Sequence, residues 1–166
     1  MMNSTVEKIK NAFATPEIAF NNYADMVYRL AFVRTKNKSD SDDILQEVFM
    51  RYIKIWKKME SEEHVKAMLI RITVNCSNSL LSSSWFKRTL PLDETLPYFD
   101  NGSDGEVLKA VINLPQKYRT VIHLYYYCGY SVNEIGEILN LKTATVKTHL
   151  SRARETLKNT LKRDDF

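Results

Sequence analysis

The sequence predicts an all-α fold: two small helical domains joined by a flexible acidic linker, the C-terminal one a helix-turn-helix. Three observations carry this. Only 4 Gly and 4 Pro occur in 166 residues, which disfavours an all-β plan with its many tight turns. Long stretches repeat apolar residues at three- and four-residue intervals, the period of an amphipathic helix. That periodicity fails from Ser82 to Glu106, so the chain divides into residues 1–82, a linker over 83–105 and residues 106–166.

In the first part, Thr15-Pro16-Glu17 reads as a helix start, with Thr15 as N-cap and Pro16 at the first helical position, where a missing N–H costs nothing. Ile18, Phe20, Tyr23, Val27, Leu30, Ala31 and Val33 then mark one apolar face to about Arg34. After a polar turn, Asp40, Asp42 and Asp43 open a second helix where negative charge suits the helix dipole. Its apolar positions are Ile44, Leu45, Val48, Phe49, Tyr52, Ile53 and Trp56, ending near Lys57. A third helix follows the loop Lys58-Met59-Glu60-Ser61, with Val65, Met68, Leu69, Ile72 and Cys76 inward. Three such helices can close one core.

Ser82-Ser83-Ser84, two prolines and Asn101-Gly102 mark the linker, and Ser103-Asp104-Gly105-Glu106 has the spacing of a capping box that starts the second domain. Leu114-Pro115 opens a helix with Tyr118, Val121, Ile122 and Tyr125 inward, and Gly129 stops it. Ser131-Val132-Asn133-Glu134 is a second capping box. The short helix after it holds Ile135, Ile138 and Leu139; Asn140 suits a left-handed turn, and Thr143 caps a long helix through Val146, Leu150, Ala153, Leu157 and Leu161.

Charge is mild overall, +4, but unevenly placed: residues 83–106 carry 2 basic and 5 acidic side chains, residues 107–166 carry 10 and 5. Cys76 and Cys128 belong to no metal spacing or disulfide framework, and a reducing cytosol fits them. No apolar run approaches the ~18 residues that span a bilayer, and the N-terminus lacks the pattern of a secretory signal, so a cytoplasmic protein with no membrane insertion is expected. There is no Gly-rich phosphate loop, and His64, His123 and His149 sit on three different elements, so neither an enzyme nor a cofactor or metal site is expected.

Short helix, four-residue turn and long helix make the helix-turn-helix, with Gly136 where the two axes approach. On the long helix Lys147, Arg152, Arg154 and Lys158 are basic and Thr145, Thr148, His149 and Ser151 can hydrogen-bond, while Val146, Leu150 and Ala153 face inward. A helix of this kind fits the DNA major groove, its N-terminal residues at base edges and its cations on phosphates.

The runs Leu114-Pro115-Gln116-Lys117-Tyr118-Arg119-Thr120-Val121-Ile122, Tyr130-Ser131-Val132-Asn133-Glu134-Ile135 and Thr145 to Arg154 resemble the promoter-reading domain of extracytoplasmic-function sigma factors, of the sigma-70 family. Asp42-Asp43-Ile44-Leu45-Gln46-Glu47-Val48-Phe49 is similar to that family's polymerase-binding helix, and Leu69-Ile70-Arg71-Ile72-Thr73-Val74-Asn75 to its promoter-melting helix. The resemblance covers about residues 17–160 in the family's order. It implies a protein that binds RNA polymerase core and promoter DNA, acts without chemistry of its own, and is usually held by an anti-sigma partner, often a membrane protein.

Residue by residue, the resemblance assigns core polymerase binding to Asp43, Gln46, Glu47 and Phe49. It assigns the −10 element to Lys58, Ser61, His64, Lys66, Arg71 and Asn75, where an extruded base needs hydrogen bonds and stacking to offset unpairing. The −35 element falls to Thr145, Lys147, Thr148, Ser151, Arg152 and Arg154. Phe49 also fits the core phase, and Asp43 also fits a dipole partner. Trp56 and Tyr125 fall on apolar phases, with Tyr126 and Tyr127 undecided between packing and stacking.

The sequence departs from the family at Met68, where Trp is common, at Ser79 and Ser82 in place of an Asp-x-x-Arg pattern, and at Gly136, where Ala is commoner. The acidic linker, with Asp93, Glu94, Asp100 and Asp104, could imitate a nucleic-acid backbone in a polymerase channel or serve as a solvated tether. A stand-alone helix-turn-helix regulator binding duplex DNA as a dimer is the competing reading, and it gives no reason for Asp43, Gln46 and Glu47 beside Asn75.

Overall fold

The structure is a computed structural model that describes residues 11–82 and 105–164, and among these every regular element is helical. Residues 83–104, nearly all of the segment expected as a linker, with Ser103 and the carboxylates Asp93, Glu94, Asp100 and Asp104, lie outside the described residues. Seven α-helices are described: α1 Pro16–Thr35, α2 Lys38–Ile53, α3 Glu62–Ser82, α4 Gly105–Ile112, α5 Gln116–Ile122, α6 Val132–Leu139 and α7 Thr143–Asp164. Short 3-10 turns at Ala12–Ala14 and Trp56–Lys58 precede α1 and follow α2.

Helix α1 starts as its sequence dictates, with the Thr15 hydroxyl accepting from the Ile18 N–H. It ends at Lys36 in the left-handed region, φ 56°, whose N–H returns to the Phe32 carbonyl. The cap of α2 is Asn37, whose side chain accepts from the Asp40 N–H at 2.9 Å, ahead of the acidic cluster. Helices α1, α2 and α3 close a core of Val27, Ala31, Ile44, Val48, Tyr52, Val65, Leu69 and Ile72. The buried Tyr52 hydroxyl donates to the Ala14 carbonyl at 2.7 Å, which satisfies its polar end and ties down the 3-10 turn ahead of α1.

The apolar stripe on α1 differs from the sequence expectation. Ile18 and Phe20 are 39% and 47% exposed, whereas Phe32, Arg34 and Thr35 are buried. Every residue from Leu30 to Thr35 is buried, more than one core-facing stripe can account for. The cause is a second cover: α5 of the C-terminal half packs on this end of α1, and α6 packs on α3. Leu30, Ile70 and Val74 join the C-terminal core of Val111, Leu114, Val121, Leu124, Ile135, Val146 and Leu150, and Phe32 and Val33 meet Ile112. The two halves thus share apolar surface.

In the C-terminal half, α5 runs into a π-helical turn at His123–Tyr127 that closes with the Cys128 N–H on the His123 carbonyl, and Gly129 follows at φ 76°. The wider turn shifts the phase, leaving Tyr125 half-buried and Tyr126 and Tyr127 exposed, while Leu124 stays in the core. His123 is buried with its ring stacked on Tyr127, and burial holds its pKa down at about 4. Both bonds of the Ser131–Glu134 capping box form, at 3.2 and 2.7 Å, and Asn140 takes the left-handed turn at φ 54°. A Cβ at Gly136 would sit 2.7 Å from the Leu141 carbonyl oxygen, so this glycine lets α6 meet the turn. Thr143 lies inside α7 and donates to Asn133 at 3.1 Å.

Candidate nucleic-acid and polymerase interface

Helix α7 buries Val146, Leu150 and Ala153, and this fixes the opposite side outward. Lys147, Thr148, Ser151, Arg152 and Arg154 are exposed and Thr145 is half-buried. A depression of about 320 Å³ at the start of the helix is lined by Ala144, Thr145, Thr148, His149 and Arg152. Burial, then the cations Lys117 and Arg152, holds His149 below its ordinary pKa, so Lys117 of α5 stands beside α7. Lys117 escaped the sequence reading; its signal was its place next to Tyr118, whose ring faces His149 at 5.5 Å.

Arg154 differs from Lys147 and Arg152. Its Nε donates to the Tyr126 hydroxyl at 2.8 Å, and its guanidinium lies over the rings of Tyr125 and Tyr126, 5.4 and 5.6 Å from their centroids. Half-buried Tyr125 and exposed Tyr126 therefore hold an arginine in place. Trp56, half-buried, carries Lys57 over its ring at 5.8 Å.

On α2, Asp43 and Gln46 are exposed, and half-buried Glu47 accepts from Arg51 at 2.7 Å one turn on. Phe49 is buried, edge-on to Phe20 and Tyr52, so packing accounts for it and it presents little to a partner. The sequence residues for the −10 element lie along one end and side of α3. Lys58, Arg71 and Asn75 are exposed; the Ser61 hydroxyl accepts from the His64 N–H at 3.1 Å as a cap, and His64 Nδ1 accepts from the Glu60 N–H. Lys66 is engaged: its ammonium donates to the Cys128 carbonyl at 2.7 Å and lies 5.0 Å from the Tyr130 ring centroid, both in the other half.

Two buried arginines, unmarked in the sequence, join the halves. Arg34 donates to Ser77, Asn78 and Thr120, the last at 2.9 Å. Arg119 donates to the carbonyls of Val33, Arg34 and Leu114, closing the C-terminal end of α1. Both are held down at about pH 10, by burial and, for Arg34, by the neighbouring Arg119 as well. A sequence shows an arginine as a solvated cation; only packing shows one with carbonyls and amides as partners.

Among the described residues no helix is long and apolar enough to cross a membrane, and no cluster of His, Cys, Asp and Glu could hold a metal.

Comparisons with known proteins agree with the two motif sets. Residues 19–86 match the family Sigma-70 region 2, and residues 104–157 match Sigma-70, region 4. The chain is 31% identical over 144 residues to the RNA polymerase sigma factor SigV of Bacillus subtilis, covering 84% of this chain and 86% of that one. It is also 31% identical over 162 residues to the extracytoplasmic-function sigma factor SigW of the same organism, covering 84% and 85%. Among solved structures, the sigma factor RpoE in its complex with the anti-sigma factor NepR from Bartonella quintana shares the fold, with a TM-score of 0.74 at 21% identity over 86% of this chain and 94% of that one. CnrH, solved with the cytosolic domain of CnrY, shares it with a TM-score of 0.65 at 19% identity over 96% and 97%. The chain belongs to the extracytoplasmic-function group of the sigma-70 family of RNA polymerase sigma factors.

Proposed function

We propose that the chain is a transcription-initiation factor that joins RNA polymerase core, reads the −35 element with α7 and the −10 element with α3, and promotes strand opening by binding alone. The observation that carries this is the outward face of α7: Lys147, Thr148, Ser151 and Arg152 stand exposed around a buried Val146, Leu150 and Ala153. Such a face supplies groups for base edges and phosphates together. Exposed Asp43 and Gln46, with Glu47 beside them, are the contacts proposed for core polymerase, and Phe49 supports their helix from within. Asn75, exposed and carrying both donor and acceptor, is proposed as the reader of an extruded base, with exposed Arg71 one turn before it on α3 and Lys66, Ser61 and Lys58 further back, towards and before the start of that helix.

Geometry requires the molecule to open for this. Elements at −35 and −10 lie about 25 base pairs apart, or roughly 85 Å at 3.4 Å per pair. A compact chain of this length has a radius of gyration of about 15 Å and hence a span of roughly 40 Å. The residues between Ser82 and Gly105 reach at most about 75–80 Å when extended, enough to part the halves. The apolar surface of Leu30, Ile70 and Val74, a natural target for an anti-sigma factor, is covered in the closed form by the protein's own second half. Such a partner would therefore hold the halves as they are or replace one of them.

Reconstituted transcription with core polymerase on a genomic promoter library tests the reading. Selection of a shared upstream and downstream element is expected. Core binding without promoter selection, or duplex binding without core, would overturn it in favour of a different polymerase-associated role or of the stand-alone regulator.

A further inference from the structure

Between the two halves lies a cavity of about 170 Å³, lined by Arg34 and Asn78 from the first and by Gln116, Lys117, Thr120 and His149 from the second, with apolar side chains completing the wall. It is far larger than the roughly 10–15 Å³ that one water needs. No carboxylate lines it. Gln116 Nε2 and His149 Nδ1 are buried with no hydrogen-bond partner, an uncommon state for buried polar atoms. Gln116 brings two N–H donors, and Lys117 brings a full positive charge. The bonds of Arg34 to Ser77, Asn78 and Thr120 start from three of its nitrogens and leave two of its five N–H groups for another acceptor. Arg119 adds a second buried cation next to Arg34. The wall therefore sets unused donors and positive charge against neutral acceptors only, with no carboxylate to balance them, and water could fill the space without balancing the charge.

We propose that this cavity is an oxyanion site for a phosphate-sized group, and that a free anion of this kind bridges the halves and holds the molecule closed. Lys117 and Gln116 come from the C-terminal half and Arg34 from the N-terminal half, so the complete site exists only while they touch. An anion bound there stabilises the closed form by mass action and opposes opening. The anion site itself is independent of the sigma-factor reading; its effect on polymerase binding rests on it.

The test uses the full chain and inorganic phosphate, titrated against chloride at constant ionic strength, with thermal unfolding and 31P NMR as readouts. A saturable rise in Tm and a broadened phosphate resonance are expected, and both should vanish in Lys117→Met and Gln116→Leu. These two positions are exposed and half-exposed, so the variants should fold, which their Tm without phosphate verifies. At phosphate ten times its Kd, affinity for core polymerase should fall about tenfold in the parent and not in Gln116→Leu. An equal Tm rise with chloride, or retention of the rise in both variants, overturns the site. Protection by a short non-promoter duplex without any by inorganic phosphate overturns the free anion in favour of a DNA phosphate. Saturable phosphate binding with unchanged core affinity overturns the closing role. Core binding measured without phosphate tests the sigma-factor reading separately.

Discussion

Lys147 on α7 and Lys66 on α3 are both assigned to DNA by their motifs, yet the closed molecule holds them differently. Lys147 is exposed on the outer face of the recognition helix, whereas Lys66 donates to the Cys128 carbonyl and lies against the Tyr130 ring. Around Lys147 the neighbours Thr148, Ser151 and Arg152 face solvent as well. Around Lys66 the C-terminal half has closed over Ile70 and Val74 of the same helix. The face proposed for the −35 element can meet duplex DNA as it stands, and part of the side proposed for the −10 element becomes available only on opening. That order suits duplex recognition before melting, because an extruded base exists only after strands part.

The strongest way to break this asymmetry is to unlock the junction. Arg119→Met removes three donors from the carbonyls of Val33, Arg34 and Leu114 at once and leaves buried acceptors at the end of α1. Relief of repulsion with Arg34 offsets a part of the loss. A destabilisation of about 3 kcal/mol is expected in urea unfolding, with an enlarged radius of gyration by small-angle scattering before the main transition. An unchanged radius would mean that the apolar contacts, with the bonds of Arg34 to Thr120 and of Lys66 to Cys128, hold the halves without Arg119.

Acid should act on the same half of the molecule. His123, at about 4 when folded against an ordinary 6.5, stays neutral in the native core while the unfolded chain takes up a proton below pH 6.5. Native stability therefore falls as pH drops from 6.5 towards 4, by about 2 kcal/mol between pH 7 and pH 5. Chemical unfolding at the two pH values checks this, and His123→Gln should flatten the dependence. A dependence that survives in the variant would put the proton elsewhere.

What the sequence disclosed follows from what it can encode locally. Caps, periodicity and turn residues act within a few positions, so Thr15, the Ser131–Glu134 box, Asn140 and Gly136 were legible, as were both motif sets. Asn37 caps α2 ahead of the acidic cluster, a place that several polar residues of the same turn could have filled. The closed arrangement was illegible because its determinants are long-range: Ile18 and Phe20 carry the same apolar signal as Leu30, and only the docking of α5 decides which of them is buried. The π-turn at His123–Tyr127 was invisible for a related reason, as nothing in a run of aromatics specifies the added residue that sends Tyr126 and Tyr127 outward.

Lys66→Met separates the two jobs of that lysine. Losing the bond to Cys128 and the contact with Tyr130 should weaken the closed form by about 1 kcal/mol. It should also reduce the salt slope of binding to a pre-melted promoter fork by about one charge. A changed slope with an unchanged closed form would make the contact to Cys128 incidental, and the reverse would remove Lys66 from the −10 reader.

The smallest effect lies within the exposed face itself. Arg152 stands beside the depression at the start of α7, whereas Arg154 is bonded to Tyr126 and lies over two rings on the side away from it. Arg152→Ala should lower duplex affinity and the salt slope by about one phosphate contact. Tyr126→Phe keeps both rings and removes one hydrogen bond from a solvent-exposed arginine, so its effect should be a loss of about 0.5–1 kcal/mol or less, read as two- to fivefold in duplex affinity. If Tyr126→Phe is neutral and Arg154→Ala matches Arg152→Ala, the guanidinium reaches phosphate without help from the tyrosine. If both changes at this site are silent while Arg152→Ala is not, Arg154 serves packing on the π-turn, and the DNA-reading face ends at Arg152.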